Sequence, residues 1–281
     1  MLKKIRSLAY QYAIPAVLIV FVLFDLLMFG LARLLSLLPP TLSMKYLTSI
    51  ILMLVPVVFV FLFGFSGAFR KDNLSKGWRT FLPFIVVPLL FLVVFILTNL
   101  GDPEANWKPW YLIIYGVFAT VEIGVREECF YRATIQNILA KKYANSVKGI
   151  WIAAIVSSII FGLTHLSNLF FGVNPHAVLI QVASATTIGF LFGAIYLRSG
   201  NIWLLILIHT LTDVAALEES IFFNNISDVE TMNQYSFSWK WLIVRLIYVG
   251  IAMFLLRPSK CKQIYKDVCL VDKEADVATS K

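Results

Sequence analysis

Long apolar blocks separated by short polar stretches dominate the chain, and their length leads to the first prediction. A helix needs about 20 apolar residues to cross the hydrocarbon core of a bilayer, and most of the blocks are close to this length. We therefore predict an all-α, polytopic membrane protein with about eight transmembrane helices in one bundle. The predicted spans cover residues 13–38, 46–68, 81–100, 111–140, 150–166, 177–197, 202–217 and 241–256.

Composition agrees with this pattern and excludes other classes of protein. The 281 residues are 59% hydrophobic and 14% charged, and their mean hydropathy is +0.82. A typical soluble domain is about 45–50% apolar and about 25% charged. A soluble enzyme, a disordered protein and a fibrous protein are therefore excluded. We expect one integral membrane domain over residues 1–281, with a cytoplasmic tail at 257–281.

Basic residues are distributed unevenly between the two sides that eight spans would create. Seventeen of the 24 lysines and arginines fall on the side of the N-terminus, and only Lys45, Lys108 and Lys240 fall on the opposite side. Because cytoplasmic loops of membrane proteins are enriched in basic residues, we predict that both termini are cytoplasmic. This enrichment of cytoplasmic loops in lysine and arginine also accounts for the net charge of +8. We expect no nucleic-acid partner, since no basic stripe with interleaved aromatic residues is present.

The N-terminal residues and the cysteines bear on where the protein is located and on whether it has disulfides or a structural metal. The first twelve residues are basic, like the start of a signal peptide, but the apolar run that follows is too long and lacks a small-residue cleavage site. We therefore expect a retained first span, and the compact size favours the plasma membrane of a bacterium. Cys129, Cys261 and Cys269 have the spacing of neither a disulfide framework nor a structural metal site.

Charged side chains inside a span are costly, about 2.5–3.5 kcal/mol each at the centre, and the fourth predicted span concentrates them. Its five charged residues lie within eleven positions: Glu122, Arg126, Glu127, Glu128 and Arg132. Glu122 with Arg126, and Glu128 with Arg132, have the i,i+4 spacing of an ion pair on a helix. This leaves Glu127 without a counter-ion. An unpaired carboxylate in a dry site suits a general base. Alternatively, all five form a network that fixes helix packing.

Three charged residues stand alone in other predicted spans: Asp25, Arg33 and Arg245. Long side chains near the end of a span commonly reach the interface, where water and headgroups solvate them. We therefore interpret these three as interfacial or structural residues.

Two of the three histidines lie in spans with a suitable partner one helical turn away. Phe161 precedes His165 by four residues, where its ring would hold the imidazole and exclude water. Asp213 follows His209 by four residues, where its carboxylate would fix the tautomer or join it as a ligand. We interpret His176, which follows an Asn-Pro pair, as an interfacial loop residue.

These patterns occur together in one family. The run Glu-Glu-Cys-Phe-Tyr-Arg at 127–132 resembles the Glu-Glu-x-x-x-Arg motif of the CPBP family of intramembrane proteases, which includes CAAX prenyl endopeptidases and bacteriocin-processing or immunity proteins. Residues 161–165 are similar to its Phe-x-x-x-His motif, and residues 209–213 to its His-x-x-x-Asn/Asp motif. The three motifs follow the family order on three apolar segments. The resemblance covers roughly residues 111–215 and implies that these helices are catalytic.

The resemblance implies a role for each motif residue. Glu127 would be the base that activates a water, and His165 would help to hold that water. His209 and Asp213 would stabilise the oxyanion of the tetrahedral intermediate or orient the reacting carbonyl. Supporting roles fall to Glu128, Arg132 and Phe161.

Two mechanisms fit these residues. The family was long described as metalloproteases, and Glu127, His165 and His209 would then bind a Zn²⁺ with an open water position. The chain lacks the His-Glu-x-x-His helix that is typical of zinc proteases, so we favour a metal-free mechanism with no cofactor. Asp213 is a departure, because an ionised carboxylate cannot donate a hydrogen bond to an oxyanion. This weakens its oxyanion role or favours a metal.

The expected function is thus an intramembrane endopeptidase that cleaves a membrane-associated peptide or protein. Its partners would be that substrate and the lipid bilayer, and nothing in the sequence shows whether the substrate is prenylated. Two other functions stay open. One is a non-enzymatic immunity or scaffold protein that binds a partner within the bilayer, and the other is a proton-coupled transporter with a Glu/His relay.

Overall fold

A computed structural model describes residues 1–70, 75–102, 104–224, 226–261 and 264 of the chain. Every extended regular element in these ranges is a helix, so the all-α prediction is confirmed. An isolated antiparallel bridge joins Trp107 and Phe223. Most of the tail predicted at 257–281 lies outside the described residues, as does Cys269.

The helices follow one another with short connections. In chain order the α-helices are α1 (Leu2–Gln11), α2 (Ala13–Leu35), α3 (Leu42–Leu62), α4 (Trp78–Phe81), α5 (Pro83–Asn99), α6 (Trp110–Glu127), α7 (Asn137–Tyr143), α8 (Val147–Thr164), α9 (Pro175–Ser199), α10 (Ile202–Ala216), α11 (Glu218–Phe222), α12 (Asp228–Asn233) and α13 (Trp239–Leu255). Two 3₁₀ segments cover Ser66–Phe69 and His165–Phe171, and a π-helical segment covers Glu128–Gln136.

Polar side chains fix where the longer helices begin. At each of five helix starts a side-chain oxygen accepts a hydrogen bond from a backbone N–H of the first turn, which satisfies a donor that the helix itself leaves unpaired. The capping residues are Thr41, Ser146, Asn174, Asn201 and Ser238. Local polar residues between apolar runs therefore define the helix boundaries.

Each predicted span coincides with a helix or a run of helices, and four of these helical stretches are long and apolar enough to cross a bilayer. These are Ala13–Leu35, Leu42–Leu62, Val147–Phe171 and Pro175–Ser199. Two shorter apolar helices are Pro83–Asn99 and Ile202–Ala216. A membrane-embedded protein follows from these helices, whereas the total of eight spans and the orientation of the termini stay predictions.

The fourth predicted span is not one continuous α-helix. It consists of α6, the π segment and α7, and all nine residues of the π segment are buried. The hydroxyl of Thr134 donates to the carbonyl oxygen of Cys129, five residues earlier, at 3.0 Å. A π turn takes an extra residue, so it changes the direction of the side chains that follow. Glu128 and Arg132, two of the five charged residues of this span, are therefore buried inside the bundle.

A close contact between α8 and α9 helps to position the second motif. A Cβ atom at Gly162 would lie 2.0 Å from Oγ1 of Thr186 and 2.9 Å from the carbonyl oxygen of Val182. Small residues allow helices in a membrane to approach closely. The absence of a side chain at Gly162 thus lets α8 lie directly against α9 just before His165.

The orientation of the bundle can be tested with single cysteines at Lys45 and Lys148, in a chain whose native cysteines are replaced by serine. We expect Lys45→Cys to react with a membrane-impermeant maleimide in intact cells, because positive-inside orientation places it outside. Lys148→Cys should react only after lysis. Labelling in the reverse order would contradict the predicted orientation.

Candidate active site

Two consecutive glutamates lie at the junction between α6 and the π segment. Glu127 is the last residue of α6 and Glu128 is the first residue of the π segment. The side chain of Glu127 is 14% exposed, whereas that of Glu128 is fully buried. The two consecutive carboxylates therefore differ in their access to solvent.

Glu128 is shared between an arginine and a histidine. Its Oε1 lies 2.7 Å from Nδ1 of His209, and its Oε2 lies 3.4 Å from Nε of Arg132. The sequence predicted the pair with Arg132, which the structure contains, but not the contact with His209. Because an ionised carboxylate only accepts hydrogen bonds, Nδ1 of His209 is the donor.

Arg132 is fully buried and is compensated by two kinds of contact. One is the ion pair with Glu128, and the other is the ring of Phe161, whose centroid lies 4.5 Å from the guanidinium carbon. Within the described ranges, none of its three guanidinium nitrogens makes a hydrogen bond. A guanidinium over an aromatic face is stabilised by the ring quadrupole. The ring of Phe161 therefore stabilises a buried guanidinium that has an ion pair but no hydrogen bond.

His209 lies among three carboxylates. Its Nε2 faces Oε2 of Glu127 at 3.7 Å and Oδ2 of Asp213 at 3.5 Å, on the side opposite the Glu128 contact. A hydrogen bond to one ring nitrogen fixes the orientation and tautomer of an imidazole. Glu128 thus directs Nε2 of His209 toward the space beside Glu127 and Asp213.

The ring of Phe161 connects the two histidines of the motifs. Its centroid lies 5.4 Å from that of His165 and 6.0 Å from that of His209, with the rings nearly perpendicular in both pairs. Perpendicular packing of this kind is favourable for aromatic rings. Phe192 of α9 contacts His209 at a centroid distance of 5.2 Å. The imidazole of His209 is therefore confined between two aromatic rings.

A glycine in α9 makes room for this arrangement. A Cβ atom at Gly189 would lie 2.7 Å from Cδ1 of Phe161 and 3.6 Å from a guanidinium nitrogen of Arg132. The ring of Phe161 therefore occupies the volume that a side chain at position 189 would need, whereas the guanidinium of Arg132 would be in ordinary contact with it. No motif of the sequence analysis included this glycine.

His165 begins the 3₁₀ segment directly after α8. Its Nδ1 lies 3.1 Å from the carbonyl oxygen of Phe161, one helical turn earlier. A carbonyl accepts, so Nδ1 carries the proton and Nε2 stays available to another group. The predicted residues Glu127, His209 and Asp213 come together directly, whereas His165 joins them through the ring of Phe161.

The remaining charges of the fourth span form the other predicted pair. Nε of Arg126 lies 2.7 Å from Oε1 of Glu122. Among the described residues, no three His, Cys, Asp or Glu side chains form a group that could hold a metal ion, and this includes the predicted Zn²⁺ ligands Glu127, His165 and His209.

Sequence reasoning missed one polar residue of this region. Asp25 lies in the middle of α2, twelve residues after Ala13, and accepts a hydrogen bond from the hydroxyl of Thr164 at 3.4 Å. Asp25 lies near the middle of the first predicted span, and this position already indicated a residue deep in the bilayer and not an interfacial one. The contact with Thr164 joins residues 139 positions apart, and no local pattern reports it.

Removing Arg132 should destabilise the protein more than removing Arg126. Arg132→Gln leaves the Glu128 charge buried without its arginine partner, and breaking a buried pair costs about 3–5 kcal/mol. Arg126→Gln should cost less, because the side chain of Arg126 is 27% exposed and water can replace part of the interaction. Thermal unfolding in detergent measures both. An equal fall in Tm for the two variants would show that the Arg132–Glu128 pair contributes no more to stability than the Arg126–Glu122 pair.

Comparison with known proteins agrees with the motifs. Residues 106–215 match the family model described as type II CAAX prenyl endopeptidase Rce1-like. No curated protein and no solved structure matches the chain. The matched segment contains α6, the π segment, α7 to α9 and nearly all of α10, and thus all three motifs. The match supports the resemblance of residues 106–215 to this family of proteases.

Proposed function

We propose that this protein is an intramembrane endopeptidase that hydrolyses a peptide bond of a membrane-associated peptide or protein. One observation carries the proposal: the carboxylate of Glu127 and the imidazole of His209, from two helices, face one another in an apolar bundle. The segment that holds them matches a protease family. General-base hydrolysis needs such a base beside a donor that stabilises developing negative charge.

Glu127 is the proposed base. Its Oε2 lies 3.7 Å from Nε2 of His209, which is beyond hydrogen-bond distance and leaves both atoms able to contact a third polar atom. In the first step Glu127 takes a proton from water, and the water oxygen bonds to the carbonyl carbon of the scissile peptide. In the second step the C–N bond breaks, and the proton on Glu127 passes to the leaving amine. The products are a carboxylate and an amine.

His209 is the proposed donor to the oxyanion. Glu128 accepts from Nδ1 and thereby directs Nε2 toward the reacting carbonyl. With both nitrogens protonated, the imidazolium donates from Nε2 to the oxygen that becomes negative in the intermediate. Preorganised donors of this kind contribute about 10²–10³ in rate.

Asp213 acts on His209 in this proposal, not on the oxyanion. Its Oδ2 lies 3.5 Å from Nε2 of His209. A carboxylate at that distance stabilises an imidazolium, which an asparagine in the same place would do only through its dipole. This accounts for an aspartate at a position where a hydrogen-bond donor to the oxyanion was expected.

His165 completes the site by holding the attacking water. Its Nδ1 is occupied by the Phe161 carbonyl, so Nε2 is the nitrogen that can contact water. The Phe161 ring packs against His165 and His209 and excludes bulk solvent from the space between them. Exclusion of solvent strengthens the electrostatic interactions that the mechanism uses.

Glu127→Gln tests the proposal most simply. The amide keeps the size of the side chain but cannot take a proton, so we expect kcat/KM to fall by about 10²–10⁴-fold while Tm stays close to the native value. The assay uses purified protein in proteoliposomes with peptides that carry, or lack, a prenylated C-terminal cysteine. Glu104→Gln is the matched control, because Glu104 is exposed and far along the chain from all three motifs.

Full activity of Glu127→Gln would end the proposal. If no peptide is cleaved, membranes from cells with the native protein and the Glu127→Gln variant can be compared for precursors that accumulate in the variant. A partner that binds the native and Glu127→Gln proteins equally, with no precursor accumulating, would instead support the non-enzymatic immunity or scaffold function.

A further inference from the structure

We infer that Asp25 is a positioning residue of the active site, contributed by a helix outside the family segment. This inference rests on the proposed function. Asp25 lies in α2, whereas the matched segment begins at residue 106. A carboxylate in the middle of a membrane span is costly, so its retention needs a partner within the bundle. The structure provides that partner at the second of the three motifs, the Phe-x-x-x-His motif of residues 161–165.

The contact between Asp25 and the second motif passes through Thr164. The hydroxyl of Thr164 donates to Oδ1 of Asp25 at 3.4 Å. Thr164 is the last residue of α8, and His165 follows it as the first residue of a 3₁₀ segment. Where the α-helix changes to a 3₁₀ helix, the backbone no longer has the continuous i,i+4 hydrogen bonds that fix its direction. A side-chain contact there therefore restricts the direction in which His165 leaves α8.

The neighbouring residue fixes α2 against the centre of the bundle. Phe24 is buried and stacks on Phe130 of the π segment, with ring centroids 3.6 Å apart and planes within 12° of parallel. Phe59 of α3 packs edge-on against the ring of Phe24 at 5.4 Å. The position of Asp25 relative to the motif glutamates is thus set by aromatic packing, in addition to its own hydrogen bond.

Asp25 also contributes charge to the site. The groups that interact electrostatically with it are Arg126 and Glu127 of α6 and Tyr131 of the π segment. Thr164 of α8 is its uncharged partner. Asp25 is therefore a further carboxylate near the proposed base, and it interacts with Arg126, as Glu122 does.

One function follows from this placement. The hydrogen bond to Thr164 orients the start of the 3₁₀ segment and hence His165. Loss of that hydrogen bond should lower kcat and leave KM unchanged, because the proposed role of His165 is to hold the attacking water.

The experiment measures kcat and KM of three variants in proteoliposomes. Thr164→Val keeps the shape of the side chain and removes the donor, so we expect about a tenfold lower kcat at an unchanged KM. Asp25→Leu removes the acceptor and should have the same effect as Thr164→Val. Thr164→Ser keeps the hydroxyl and should restore kcat to within about threefold of native. Thr98→Val is the control, because Thr98 hydrogen-bonds carbonyl oxygens only within α5 and contacts its neighbour Asn99.

The outcomes separate this inference from the proposed function. Native kcat and KM for Thr164→Val and Asp25→Leu, together with an inactive Glu127→Gln, would overturn the inference and leave the protease intact. An active Glu127→Gln would overturn the protease itself. If Thr164→Val and Asp25→Leu lower only the amount of folded protein, at a native kcat per folded molecule, or if Thr164→Ser does not restore kcat, Asp25 is only structural and the inference fails.

Discussion

The buried carboxylate of Glu128 is the group on which the rest of the site depends. It has no exposure to solvent, so its charge must be compensated by the protein, and Arg132 and His209 provide that compensation. Removing one member of a buried pair leaves the other unsolvated at a cost of about 3–5 kcal/mol. This constraint ties the π segment to α10 and holds the imidazole of His209 in one orientation. The position of the proposed oxyanion donor is thus a consequence of charge burial.

The same constraint explains why aromatic residues surround the charges. Arg132 lies over the ring of Phe161, which also contacts both motif histidines. A single buried ring therefore links a structural ion pair to the proposed catalytic groups. Gly189 makes this packing sterically feasible, since a side chain there would overlap the ring. The second motif accordingly contributes packing through Phe161 as well as a histidine.

Much of the architecture and of the residue set could be predicted from the sequence, because both depend on local patterns. Apolar block length predicted the helices, and i,i+4 spacing predicted the pairs Glu122–Arg126 and Glu128–Arg132. The π segment could not be predicted, since its extra residue per turn depends on tertiary packing. The contact of Glu128 with His209 joins positions 81 apart, which spacing within one helix does not report. Asp25 was interpreted as interfacial or structural, and its contact with Thr164, 139 positions away, is likewise one that local spacing does not report.

Turnover as a function of metal content shows whether a water activated by Glu127 alone hydrolyses the peptide. The purified protein is depleted of metal with a chelator, its residual Zn²⁺ is quantified by mass spectrometry, and cleavage of a peptide substrate is measured before and after Zn²⁺ is restored. We expect the depleted protein to have the same kcat/KM as the untreated protein. Turnover that falls in proportion to the metal removed, and returns when Zn²⁺ is added, would instead make the protein a metalloprotease.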